Sequence, residues 1–388
     1  MSATTRNVAI LTGTRADYGL LRQLAREVEA DPRTRLQLVV SGTHLSDAHG
    51  STVDEVRADG LPIAAAVPIW HGDDSPLGAA ADTGAAIAEF ARTLDELRPD
   101  VVVVLGDRLE AFAMATAATV LGIPVAHVHG GELTEGAMDD ALRHAITKLS
   151  YLHFVTTAEH RARVLQLGEE PDRVFDVGAP ALDALGELRL LDRDELTAKF
   201  GIRFGAPTLL LTFHPAAFDS AAPVELLQTL LAAIDDLPEA HVIVTGTNSD
   251  IGSDEIRKQL DSWVSEHPDR SDYVESFGQL GYLSTMAQVD MVVGNSSSTV
   301  LEAPLVGVPS VLVGDRQAGR PISASVLTPA ADRDAILRAL RTGLAPEFRS
   351  ASRSTPSVFG TAGFARRTLE VLAEHALPNP PRKKFWNL

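Results

Sequence analysis

Five consecutive apolar residues, Val101–Leu105, run straight into Gly106-Asp107-Arg108. A strand without polar alternation must be covered on both faces, which is the condition of a central strand in a parallel sheet flanked by helices. Shorter β-rich runs recur around it at Val8–Leu11, Leu36–Val40, Val125–Val128 and Phe154–Thr156, with helical patterns between them. That alternation reads as parallel α/β. A second series follows at Thr208–Phe213, His241–Thr245, Met291–Val293 and Ser310–Val313, separated by helical stretches such as Val224–Asp235 and Ser298–Leu305. The expected fold class is α/β, two doubly wound lobes facing a cleft, with ligands beyond the carboxyl ends of the strands.

The length of 388 residues suits two such domains better than one. Their junction is expected in the charged, helical stretch Gly178 to Phe204, giving domains 1–185 and 186–362. Residues 363–388 hold an amphipathic helix, Gly363 to Ala376, expected to dock, and a tail whose prolines forbid a continuing helix and which is not expected to be held.

Composition excludes several function classes. A net charge of −18 repels nucleic acid, so a phosphate-bearing ligand must meet a locally basic pocket. With no cysteine there is no disulfide, thiolate metal site or cysteine nucleophile. The first residues lack a signal-peptide pattern, so cytoplasm is the expected compartment. The longest apolar stretch, Ala111 to Ile123, falls short of the roughly 20 residues a membrane span requires, so no membrane contact is expected.

Four motifs fall at strand ends. Gly13-Thr14-Arg15-Ala16-Asp17-Tyr18-Gly19 follows the first strand and opens a helix. It reads either as an anion site built from backbone amides and Arg15, or as an ordinary turn with Asp17 capping the helix. Gly106-Asp107-Arg108-Leu109-Glu110 leaves the central strand, where a carboxylate can take a proton and an arginine can hold phosphate oxygens; a salt bridge closing the sheet end is the plainer reading. His127-Val128-His129-Gly130-Gly131-Glu132 leads to a helix carrying Asp139, Asp140, Arg143, His144 and Lys148. Asp139 and Arg143, four apart, share a face and read as a cleft-facing pair or an exposed ion pair. The two histidines make a metal site conceivable, but acid–base chemistry uses these groups as readily, and no metal is expected.

In the second half, Phe213-His214-Pro215, Thr245-Gly246-Thr247-Asn248 and Gly294-Asn295-Ser296-Ser297-Ser298 each follow a strand, with Glu302 after the last. A serine turn offers amides and hydroxyls to a diphosphate, and a glutamate one turn inside can accept both ribose hydroxyls; simple capping explains one serine. Gly314-Asp315-Arg316-Gln317-Ala318-Gly319-Arg320 adds two cations.

Together GTRADYG, GDRLE, HVHGGE, DDALRHAITK, FHP, TNSD, GNSSSTVLE and GDRQAGR, in this order over nearly the whole chain, resemble the hydrolysing UDP-N-acetylglucosamine 2-epimerases of sialic and legionaminic acid synthesis. The resemblance implies a glycosyltransferase-B-like fold of two Rossmann-like lobes, with the last helix crossing back to the first. It implies a UDP-linked amino sugar as substrate, no cofactor, and a homodimer. Ser296 and Ser297 would meet the diphosphate and Glu302 the ribose, with Arg15, Gly19, Arg108, Asn248, Tyr282 and Arg316 as further nucleotide contacts. The first lobe would supply the chemistry through Asp107, Glu132, Asp139 and Arg143, with His44 at the sugar, while His214 assists departure of the diphosphate. Some relatives carry a glutamate where this chain has His129, which leaves the group that handles the C2 proton open: Asp107 and Asp139 lead as acid–base candidates, and Glu132 or His129 could take the place of that glutamate. The implied reaction eliminates UDP across C1–C2 to a glycal, then adds water with protonation of C2 from the opposite face. The expected product is of the N-acetylmannosamine type, from UDP-N-acetylglucosamine; the alternatives are a UDP-linked 2,4-diacetamido-6-deoxy sugar, then a non-hydrolysing 2-epimerase or a glycosyltransferase of the same fold, and both uridine and guanine remain as the base.

Overall fold

The computed structural model describes residues 5–45, 52–69, 75–134, 138–215, 223–247, 253–355, 357–378 and 380–387. The chain divides into two units, Met1–Glu187 with Phe359–Leu388, and Leu188–Val358. The return point lies a few residues before Gly363, because Phe359 is buried and its carbonyl accepts from Ala179 N.

The first unit is built on seven parallel strands: β1 (Arg6–Thr12), β2 (Thr34–Ser41), β3 (Ile63–Val67), β4 (Val101–Leu105), β5 (Val125–Val128), β6 (Leu152–Val155) and β7 (Val174–Asp176). Their order is β3-β2-β1-β4-β5-β6-β7. The apolar run of β4 behaves as its composition requires: Val101 and Val103 enter the core on one face of the sheet, Val102 and Val104 the core on the other. The second unit carries β8 (Thr208–Thr212), β9 (His241–Thr245), β10 (Ser271–Val274), β11 (Met291–Gly294), β12 (Ser310–Leu312) and β13 (Val326–Leu327), in the order β10-β9-β8-β11-β12-β13. In each sheet the winding reverses once, between β1 and β4 and between β8 and β11. Such a reversal leaves an open crevice beyond the strand ends, and four of the motifs issue from those four strands.

Two expectations need correction. The stretch Ser298–Leu305 is not one helix but a 3-10 turn, Ser297–Thr299, followed by the short helix Glu302–Leu305. Pro304 lacks the N–H that would tie a longer helix together. The tail is also held. Lys383 Nζ donates to Lys148 O at 2.8 Å and Ser150 O at 2.6 Å, and lies 2.7 Å from Glu169 Oε2. Glu169 is fully buried and also meets Lys148 and His153, so the tail lysine completes the neutralisation of a carboxylate that could not stand alone there. Ahead of it, Phe364, Leu369 and Leu372 of the helix Phe364–Glu374 join the core that holds Leu21 and Leu24.

Candidate active site

The turn after β1 is organised by capping. Thr14 Oγ1 accepts from Asp17 N at 3.2 Å, and Asp17 Oδ2 accepts from Gly13 N at 3.2 Å and Thr14 N at 3.1 Å. Arg15 is half exposed and pairs with Glu55 at 3.2 Å, while Gly19 lies inside the helix Arg15–Ala30. Glycine at 13 leaves room for Glu110: a Cβ there would fall 2.4 Å from Glu110 Oε1, and that side chain would have to shift. His44 is wholly buried, with Nε2 at 2.9 Å from Thr12 Oγ1 and Nδ1 at 2.7 Å from Thr52 Oγ1. Both ring nitrogens are thus committed, and the imidazole braces the end of β1 rather than presenting itself to a sugar.

From β4, Gly106 at φ 75° turns the chain, and Arg108 Nε donates to the buried Glu110 Oε1 at 2.6 Å. Burial opposes the charge on Arg108, but Glu110 and Asp17 outweigh it and raise its pKa. Burial and the neighbouring Glu110 in turn raise the pKa of Asp17. Asp107, Arg108, Glu110 and the exposed Asp139 line an open cavity of about 260 Å³, whose other wall is formed by Gly42, Thr43, Ile69 and the helix Pro76–Leu97 through Ala79, Asp82, Thr83 and Ala86. Sequence reasoning missed that helix, although its alanine spacing at residues 79–91 was the available signal.

The turn after β5 supplies the densest chemistry. His127 is buried; its Nε2–H donates to Gly106 O at 2.7 Å and its Nδ1 faces Thr147 Oγ1 at 3.2 Å. Burial holds its pKa down at about 3, so it is a neutral brace for the Asp107 turn. No group of three or more metal-ligating side chains is assembled among the described residues. His129 adopts φ 67°, a left-handed conformation uncommon outside glycine, and its Nδ1 lies 2.8 Å from Glu132 Oε1. Its Nε2 is buried without a hydrogen-bond partner among the described residues.

Arg143, on the helix Met138–Leu149, joins these pieces. Its guanidinium donates through Nη2 to Asp107, and through Nη1 to Glu132 O and Thr134 Oγ1, each at 3.1 Å. Only 5% of the side chain is exposed. Of the two readings offered for Asp139 and Arg143, the exposed ion pair is replaced by a tertiary one: Arg143 turns inward to Asp107, while Asp139 stays exposed on the cavity wall. Sequence reasoning also missed Thr156 and His160 after β6, both buried and linked to Glu132.

In the second unit, Ser296 caps the 3-10 turn and Ser298 Oγ donates to Ser296 Oγ at 3.0 Å. Tyr282 places its hydroxyl 2.6 Å from Ser298 Oγ and 3.1 Å from Thr212 Oγ1, so it braces the serine turn from below. Ser297 is half-buried beside it. Asn295 holds the backbone of His214 at both ends, Oδ1 accepting from His214 N at 2.8 Å and Nδ2 donating to His214 O at 2.7 Å. The His214 ring lies 3.3 Å from Thr247 Oγ1, and Arg316 reaches Asn295 O at 3.5 Å. Burial raises the pKa of Glu302, whose Oε2 is buried without a hydrogen-bond partner among the described residues. Asn248 lies outside the described residues.

Two parallel sheets with interleaved helices, each with polar turns at its switch point, define a glycosyltransferase-B-like protein. Among solved structures, the UDP-GlcNAc 2-epimerase of Neisseria meningitidis bound to UDP-GlcNAc superposes with TM-score 0.75 at 17% identity, over 94% of this chain and 99% of that one. The chain belongs to the UDP-N-acetylglucosamine 2-epimerase family, whose model matches residues 26–373. It is 34% identical over 315 residues to the hydrolysing GDP/UDP-N,N'-diacetylbacillosamine 2-epimerase of Campylobacter jejuni, covering 81% of this chain and 82% of that protein. To the hydrolysing UDP-N,N'-diacetylbacillosamine 2-epimerase of Legionella pneumophila it is 34% identical over 340 residues, covering 87% and 89%.

Proposed function

We propose that this chain is a hydrolysing 2-epimerase that converts a UDP-linked 2-acetamido sugar and water into UDP and the free 2-epimer. The observation that carries the reading is Arg143, a buried cation that pairs with the Asp107 carboxylate and ties it to the backbone of the turn carrying Glu132. The names of the hydrolysing relatives support the same reading. Elimination moves the C2 proton to a base as the C1–oxygen bond breaks and UDP leaves; hydration returns a proton to C2 from the other face and hydroxide to C1. Asp107 and Asp139 are the leading acid–base groups, with Glu132 and His129 next. Arg15, Gly19, Arg108, Asn248, Ser296, Ser297 and Arg316 serve the nucleotide, with Tyr282 behind the serine turn, Glu302 at the ribose and His214 beside the departing diphosphate. The working form is a cytoplasmic homodimer, as the family resemblance implies.

Of the two candidate sugars, the cavity favours the 2,4-diacetamido-6-deoxy one. Ile69, Ala79, Ala86, Leu109 and Met138 give it apolar surface beside its polar groups, which suits the methyl groups of an added acetamide and of C6. One or two such groups are worth roughly 1–3 kcal/mol. UDP release should therefore be at least about tenfold faster, as kcat/KM, from the diacetamido sugar than from UDP-N-acetylglucosamine. A preference for UDP-N-acetylglucosamine would reverse this assignment, and no UDP release from either would remove the hydrolytic reading.

A further inference from the structure

Glu132 is held from two sides. His129 Nδ1 lies 2.8 Å from its Oε1, and Thr156 Oγ1 donates to the same oxygen at 3.4 Å. Behind Thr156 stands His160, its Nδ1 2.6 Å from the threonine hydroxyl. Thr156 and His160 are 1% and 2% exposed, so both lie in the interior.

Proton counting fixes the direction of the chain. An ionised carboxylate only accepts, so the single hydroxyl proton of Thr156 goes to Glu132. Oγ1 must then accept from His160, whose Nδ1 therefore carries the proton. Burial lowers the pKa of His160 against the opposing pull of Glu132, which favours a neutral ring.

The backbone fits the same arrangement. Gly131 sits at φ 81°, and a Cβ there would fall 2.4 Å from His160 O, so the turn bearing Glu132 lies flat against the first turn of the helix Ala158–Gln166. Arg163 of that helix donates to Gly131 O, and Thr157 caps it by accepting from His160 N at 3.1 Å. The His160 backbone is thus fixed by its own helix cap while that helix fixes the turn.

We propose that His160, acting through Thr156, is a positioning residue that holds Glu132 as an oriented, ionised carboxylate for proton transfer at C2. The inference rests on the hydrolytic 2-epimerase reading, and its test separates the two. Thr156→Val is nearly isosteric and removes only the hydroxyl. His160→Leu removes the donor, whereas His160→Asn keeps an N–H near the place of Nδ1. With the unaltered enzyme releasing UDP as the reference, Thr156→Val and His160→Leu should each lower kcat by roughly 10- to 100-fold with KM within about threefold, and His160→Asn should recover most of the rate. Unchanged kcat in Thr156→Val, or His160→Asn as slow as His160→Leu, overturns the proposal. Imidazole 15N shifts of the unliganded protein give an answer that needs no turnover: His160 should show the Nδ1–H tautomer, and an Nε2–H ring would overturn the relay even if the enzyme proves to be an epimerase.

Discussion

Replacing Asp107 by asparagine should lower kcat by about 10³-fold while leaving UDP affinity within about threefold. Removing a positioned acid–base group typically costs 10²- to 10⁴-fold, and the substituted amide could neither take a proton nor neutralise Arg143. Asp107 leaves the carboxyl end of β4 and is fixed from two directions, by Arg143 and by the turn that the His127 ring locks through Gly106 O. Asparagine keeps the shape, so the turn survives, but the guanidinium, 5% exposed, is left with a weaker partner. The proposed nucleotide contacts lie largely on the second unit, which is why binding and turnover should separate. Steady-state UDP release with calorimetric titration of UDP checks both halves. A variant within tenfold of the parent rate would exclude Asp107 from the chemistry.

Acidification should destabilise the first unit by about 4 kcal/mol between pH 7.5 and pH 5, through two histidines that are nowhere near solvent. Burial holds His127 down at about 3 and His153 at about 4, whereas the unfolded chain binds these protons near pH 6.5. Because the folded state binds them less readily, their stabilising contribution is complete above pH 6.5 and is lost as the pH falls, levelling off only below the folded values. At pH 5 each has lost about 2 kcal/mol. His44 and His160, also lowered chiefly by burial, act in the same direction. Glu169 extends the loss to lower pH. Burial works against its charge, but His153, Lys383 and Lys148 hold it down at about 2, so its contribution is present above about 4.5 and disappears as the pH falls towards 2. Urea unfolding at the two pH values measures the difference, and His153→Gln should remove about half of it. A midpoint independent of pH would contradict the buried, neutral state of these rings.

The central strands were legible because a strand covered on both faces needs an unbroken apolar run, and Val101–Leu105 provides one. The edges were not. Ile63–Val67 is mostly alanine with alternating exposure, and Val174–Asp176 and Val326–Leu327 are too short to show a period. At the site, the chemistry-bearing turns were visible because they follow strands, but their pairings were not. Spacing alone offered Asp139 to Arg143; the fold instead brings Asp107 there from another strand. His44 carried no local sign that Thr12 and Thr52 would take both its nitrogens. Lys383 lies in a tail whose prolines forbid a helix, and nothing local in it signals the buried Glu169 that it meets. Such contacts depend on burial and on partners far along the chain, which hydrophobic period and capping residues do not encode.

Loss and return of the C2 proton during UDP release is the step on which the proposed chemistry turns. Incubating the protein with the UDP-linked diacetamido sugar in deuterated water and following the products by NMR probes it without intermediaries. Free UDP should appear together with a 2-epimerised sugar carrying deuterium at C2. A released sugar that keeps its original C2 configuration and its C2 proton would contradict the elimination and hydration derived for this site.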